Sequence, residues 1–355
     1  FHHSACTISG TNTTDQGGLF LQSSLSPNGA ARNSSLVGKS DGARSMFSGG
    51  VAPRGAFAAI KDTSGKSSIF SALSHFNAMD CTGSTYIVPT TSILHSAEIC
   101  NDRAGDSTVS QRESKSGVVF VDRAAAVVLT QMLISGSVVS AGVYVESGAE
   151  FTLTGGSIIK NSTSNAGIVA QAGAKVVVQD STISLNRKSG IVLLGEDGNS
   201  ATALNVRKTT FQLNNPDPVE RGGGAILSKK AQITIEESTF VRNIGDNSLG
   251  GAIFCSEKST CAISGCAFSK SEGAMMRASK GAAISVDGKG SRAIVSTSTF
   301  SDLSATSAGA VSVTEGGQLD LTSSMFKECT ASSGPAIVLE DSEPSIISLS
   351  TFEGN

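Results

Sequence analysis

The sequence predicts an all-β chain, a single-stranded parallel β-helix (solenoid) of about twelve coils, from three observations. The first is a closing phrase repeated eight times between Gly142 and Asn355: FTLTGGSII, VVVQDSTI, LNVRKTTF, ITIEESTF, CAISGCAF, IVSTSTF, LDLTSSMF and IISLSTF. In each, an aliphatic residue precedes the closing Ile or Phe by five positions, as Ile235 precedes Phe240. The second is that the opening aliphatics (Val143, Ile168, Ile191, Ile226, Ile253, Ile284, Val311 and Ile337) stand 23 to 35 residues apart. A fixed spacing beside a variable one separates stacked core from loop, and such periods signal a solenoid. The third is the missing helical pattern. Gly accounts for 39 of 355 residues, and no long stretch places apolar residues at i, i+3, i+4 and i+7.

Stacking the repeats gives columns. Ile158, Ile183, Phe211, Phe240, Phe268, Phe300, Phe326 and Phe352 form one, expected to be an internal pillar of like side chains. Two residues earlier stand Gly156, Ser181, Thr209, Ser238, Cys266, Ser298, Ser324 and Ser350, a column that admits only small groups. Alternation with a period of two puts it on the side of the Phe, at a crowded corner. Three residues after the pillar come Asn161, Asn186, Asn214 and Asn243, and again Asn355. Asn tolerates left-handed backbone, and stacked Asn side chains bond from coil to coil. A structural turn ladder is therefore expected in place of a catalytic row. The ladder lapses in the repeats that close at Phe268, Phe300 and Phe326.

Ahead of residue 117 the same grammar is fragmentary: GGLFL, GAFAAI and TYIV, with closures expected at Phe1, Phe47, Phe76, Ile99 and Ile134. The expected organisation is one β-helix over 1–355, with irregular coils and long loops over 1–116 and regular coils over 117–355. No linker or charge block divides it. The opening FHHSACT and the closing TFEGN both read as closing phrases, so a fragment of a larger protein is expected. The repeat from Ile191 to Ile226 is the longest, and its surplus falls in the loop NPDPVER. Asp217, Glu220 and Arg221 in that loop are the candidate binding residues, with the segment from Ser271 to Lys280 as a second candidate surface.

Net charge is −3, with 30 acidic and 27 basic residues and no basic stripe, which argues against nucleic acid as a partner. Polysaccharide-cleaving chemistry needs carboxylates converging from neighbouring coils. The row three before the closure (Asp180, Lys208, Glu237, Gly265, Thr297, Ser323, Leu349) and the row one after it do not stack acids. There is no Trp, only Tyr86 and Tyr144, and all four His lie in the first hundred residues. His75 near Asp80 is a possible acid–base pair, and unconnected surface residues are the simpler reading. A column of Thr182, Thr210, Thr239, Thr299 and Thr351 lacks the second flat Thr column that ice binding needs. No catalytic residue, metal or cofactor is expected.

Seven cysteines include one close set, Cys255, Cys261 and Cys266. Buried free thiols and a local disulfide both fit. Three N-glycosylation sequons (Asn12-Thr13-Thr14, Asn33-Ser34-Ser35, Asn161-Ser162-Thr163) are about what chance gives in so Ser/Thr-rich a chain.

Gly-Gly-Ala-Ile at 223–226 and 250–253, answered by Phe-x-x-Asn at 211–214 and 240–243, resembles the repeat of the chlamydial polymorphic outer-membrane proteins. The likeness covers about residues 190–355. It implies a right-handed parallel β-helix, of pectin lyase-like fold, displayed at a cell surface or secreted, commonly as an autotransported adhesin. The expected function is a non-enzymatic surface or extracellular scaffold that binds a protein or glycan ligand through projecting loops. Membrane association is expected only through parts of the parent protein outside this chain. The alternative is a polysaccharide-acting enzyme or glycan-binding module.

Overall fold

The computed structural model describes residues 126–130, 132–136, 141–163, 165–197, 201–214, 223–244, 250–269 and 278–355, together with short strand backbones before residue 122. Its regular elements are all strands, and they fall into two compact units, Phe1–Val169 and Ala170–Asn355.

The second unit is a parallel β-solenoid of about seven turns. One turn consists of the strands Ile226–Lys229, Ala231–Glu236 and Thr239–Val241, and the next repeats them as Ile253–Ser256, Thr260–Ser264 and Ala267–Ser269. Equivalent strands pair parallel and in register, giving three walls: Ile226 faces Ile253, Ile235 faces Ile263, and Phe240 faces Phe268. Strands of three to six residues are too short to persist alone, so each turn depends on the backbone bonds of its neighbours. Alternation sets the inside. In Ala231–Glu236 the residues Ala231, Ile233 and Ile235 are buried while Gln232, Thr234 and Glu236 face water.

The corner between the second and third strands is two residues long throughout this unit. Its first residue takes left-handed backbone every time: Asp180, Lys208, Glu237, Gly265, Thr297, Ser323 and Leu349. The second is the small column, and hydrogen bonding explains its composition. Ser238 Oγ donates to Glu236 O at 2.8 Å and accepts the Thr209 N–H of the preceding turn at 3.2 Å. Ser298, Ser324 and Ser350 repeat the arrangement. The column is thus a hydroxyl ladder as well as a close fit.

Gly-Gly-Ala-Ile has an equally local cause. Gly224 N–H donates to Gly251 O, and Gly251 N–H to Gly281 O, where the chain enters the first wall. A Cβ at Gly224 would sit 2.5 Å from Gly251 O, and one at Gly251 would sit 2.1 Å from Ala282 O. Only glycine permits that approach of backbone to backbone.

In the first unit the strands Tyr86–Val88, Ser92–His95 and Glu98–Cys100 make one three-strand turn. Gly117–Val121, Ala126–Thr130 and Leu133–Ser135 make a second, and Ala141–Val145, Glu150–Thr154 and Ile158–Lys160 a third. Ile99 faces Ile134, and Leu94 faces Leu129. Before Tyr86 the described strands do not complete three-strand turns. Thr7–Ser9 pairs only with Met46–Ser48, which sets Phe47 opposite Ile8. Phe1 and Phe76 lie outside the described residues. Among the described residues there are three complete turns in the first unit and about seven in the second, a count that differs slightly from the expected twelve.

One register differs from the sequence expectation. Ile134 faces Ile159, which is fully enclosed, and Ile158 is only half-buried. The corner here runs Gly155–Gly156–Ser157, one residue longer than the others, with positive φ at both glycines. Ser157, and not Gly156, holds the small position: it accepts the Met132 N–H at 3.0 Å and donates to Thr154 O at 2.6 Å.

Candidate functional site

The interior of the second unit is filled by columns. Phe211, Phe240, Phe268, Phe300, Phe326 and Phe352 stack with ring centroids 4.5 to 5.0 Å apart and planes within 12° of parallel. That interval is the spacing of paired strands, so the backbone pitch itself sets the ring separation. The first five are buried, and Phe352 on the last described turn is 46% exposed.

Beside the pillar runs an amide ladder in which Asn186, Asn214 and Asn243 are fully enclosed. Asn214 donates from Nδ2 to Ile183 O at 2.9 Å and to Asn243 Oδ1 at 3.0 Å. Its own Oδ1 accepts the Asn186 N–H at 3.2 Å and Asn186 Nδ2 at 2.9 Å. Asn243 repeats the pattern, with Nδ2 bonded to Phe211 O at 2.9 Å. Asn355 does so again, donating to Phe326 O and accepting the Cys329 N–H. Asn214, Asn243 and Asn355 therefore each tie the pillar carbonyl of the preceding turn to their own turn. Leu303 and Cys329 occupy the position where the motif lapses after Phe300 and Phe326.

Asn161 stands apart from this ladder. The longer glycine corner moves Ser162 into the enclosed place, where it is 1% exposed, and leaves Asn161 on the surface with φ 59°. Leu185, Leu213 and Arg242 hold the same left-handed place in their turns, one residue before the ladder asparagine. Counting six residues from Leu153 to Ile159, not five to Ile158, is the sequence signal for this shift.

Cys255 and Cys261 form a disulfide that joins the first wall to the second within one turn, with both residues fully enclosed. Cys261 is therefore bridged, and among the described residues the free thiols are Cys266 and Cys329. Cys266 replaces a hydroxyl in the corner ladder, with Sγ 3.3 Å from Ser264 O. Burial pushes both thiols from an ordinary 9.0 up to about 11. Two outcomes are expected. Alkylating reagents at pH 8 should label Cys266 and Cys329 only after unfolding. The unfolded chain also ionises first as pH rises. The thiols' contribution to stability should thus be complete below pH 9 and decline towards pH 11. Urea titrations across that window check the second point, and rapid native labelling would show open thiols.

Charged side chains on the outer surface pair between turns. Asp197 meets Lys230 at 2.9 Å and Lys258 at 3.3 Å, and these hydrogen bonds hold its carboxyl below the usual range. Arg207 meets Glu237 at 3.1 Å, Lys208 meets the same carboxylate at 3.7 Å, and Arg292 meets Asp320. Among the described residues, no three His, Cys, Asp or Glu side chains come together in a way that could hold a metal ion.

Asp217, Glu220 and Arg221 lie outside the described residues, as do His75, Asp80 and residues 270–277. What is described is the frame around them. Gln212 ends one turn and Ile226 opens the next. Of the segment Ser271 to Lys280, the strand Ala278–Lys280 is described, pairing parallel with Ala305–Ala308 outside the three walls. Lys280 reaches Glu340 at 2.8 Å.

No curated protein and no solved structure matches the chain. Residues 105–268 match the family model described as right handed beta helix region, and the parallel solenoid of the structure is the fold that this match describes.

Proposed function

We propose that this chain is a non-enzymatic, surface-exposed or extracellular β-helix scaffold that presents its connecting segments to a protein or glycan partner. The observation that carries the reading is where chain length varies. In the second unit the corner between second and third strands never changes length, whereas the third connection runs from Ser184 to Ile191 in one turn and from Gln212 to Ile226 in another. The link between the first and second strands varies too, from Lys230 alone to residues 195–201, so one fixed corner stands beside two variable connections, as a rigid frame with exchangeable recognition segments requires. Inward side chains are committed to rings, amides and a disulfide, which leaves outer rows and connections for recognition. The enclosed Cys255–Cys261 bridge supports an oxidising location such as a cell surface or the extracellular space. The resemblance of Gly-Gly-Ala-Ile and Phe-x-x-Asn to polymorphic outer-membrane protein repeats points the same way.

The test is deletion of the segment 215–221. Long surface insertions add little loop entropy, so the variant should keep the parent circular dichroism and urea midpoint. Binding to a glycan array or to whole cells should fall at least tenfold, the equivalent of about 1.4 kcal/mol. A collapsed β signal would place this segment inside the wall. Turnover of an acidic polysaccharide, lost in single Asp or Glu variants, would overturn the non-enzymatic reading.

A further inference from the structure

We infer that Asn161 is an acceptor for an N-linked glycan, a reading that rests on the exported location proposed above. Sequon frequency gives Asn161-Ser162-Thr163 no weight, and its place in the fold gives it a great deal. The ladder asparagines Asn186, Asn214 and Asn243 are fully enclosed, and the amides of Asn214 and Asn243 are committed between turns. Two residues after them stand Lys188, Pro216 and Gly245, so none belongs to a sequon. Asn161 differs in both respects. The extra residue of the Gly155–Gly156 corner turns its side chain out to solvent, and Ser162 takes the enclosed place. Thr163, which supplies the sequon hydroxyl, is exposed too. Among the described asparagines, the one that carries a sequon is the repeat asparagine that packing has released.

The backbone fits the same role. A φ of 59° is a conformation that asparagine adopts at low cost, so the exposed position needs no ladder bond to hold it. The Cys255–Cys261 bridge, which supports the exported location, points to a compartment in which such transfer occurs. The transfer joins Nδ2 of Asn161 to the anomeric carbon of a lipid-pyrophosphate-linked oligosaccharide. The carbon–oxygen bond to pyrophosphate breaks, the lipid pyrophosphate leaves with the electron pair, and the amide gives up one proton. A glycan at Asn161 extends away from the wall and leaves every turn closed. The same group on Asn214 would require the ladder to open.

The experiment expresses the full chain, with an export signal, in a eukaryotic secretory cell. The secreted protein is then digested and read by mass spectrometry before and after endoglycosidase treatment. The Asn161 peptide is expected to carry glycan mass, which is lost in Asn161→Asp and in Thr163→Ala at comparable secreted yield. Asp keeps the left-handed backbone accessible, so loss of mass is not loss of fold. Recovery of the Asn161 peptide wholly unmodified overturns the inference. The same digest maps the bridge and separates the two readings. Unmodified Asn161 beside an intact Cys255–Cys261 disulfide removes the glycan site and leaves the exported scaffold standing. Modified Asn161 beside two free thiols upholds the glycan site and withdraws the bridge as support for export.

Discussion

Phe240→Ala is expected to cost about 3–5 kcal/mol, the range for a fully buried aromatic side chain. Phe240 is 2% exposed, with the rings of Phe211 and Phe268 at 4.9 and 4.7 Å on either side. Truncation leaves a ring-shaped gap whose floor and ceiling are themselves rings fixed by strand pairing. The backbone cannot close it, because the three walls hold the turns at their spacing. Two stacked contacts are also lost, each worth about 0.5–1.5 kcal/mol beyond simple burial. Phe240→Leu separates the contributions, since it restores most of the volume without stacking and should recover more than half of the loss. Because a solenoid turn is supported only by its neighbours, the damage should spread to the adjoining turns as loss of amide protection there. An unchanged urea midpoint for Phe240→Ala would mean that the ring column is not inside.

The same residues show what was legible in the sequence. Phe211 to Phe352 stand at equivalent positions of successive repeats, because stacked β-structure demands one residue type at one height, turn after turn. The solenoid and its walls follow from that demand. In the first unit the repeat spacing points to Ile158 whereas the enclosed residue is Ile159, because two neighbouring isoleucines satisfy the same pattern. Only the second glycine of the corner tells Ile158 from Ile159. The small column was legible as a steric requirement, and its role as a hydroxyl ladder was not, since Cys266 fits the size rule while lacking the oxygen. Cysteine pairing was ambiguous for a related reason. Cys261 and Cys266 both sit in internal columns of the sequence, and only the two walls meeting within one turn bring Cys255 to Cys261. The candidate binding residues Asp217, Glu220 and Arg221 stand out in the sequence by loop length, charge and proline. Those features mark where the repeat pattern stops.

Asn214→Ala is expected to cost about 3 kcal/mol or more, above the 1–2 kcal/mol that a turn-forming asparagine alone would contribute. The difference comes from enclosure. Asn214 is 0% exposed and bonds to three residues in two other turns: Ile183 O, Asn243 Oδ1, and both the N–H and Nδ2 of Asn186. Truncation withdraws all four bonds at a place that water does not reach, and each buried group deprived of a partner costs about 1–3 kcal/mol. Binding should be unaffected, because Asn186, Asn214 and Asn243 are enclosed and take no part in the outer rows. Asn214→Asp then tests the mechanism through pH. The carboxylate would keep the acceptor role towards Asn186, lose the donor role towards Ile183 O and Asn243 Oδ1, and bring a charge into the interior. Burial raises the pKa of such a group above its unfolded value. The variant should therefore be most stable below the unfolded carboxyl pKa of about 3.9, where the protonated acid donates again. Its stability should fall as pH rises through the folded pKa. A flat pH profile for Asn214→Asp, matching the parent at every point, would place the ladder at the surface and return the asparagines to the role of turn formers.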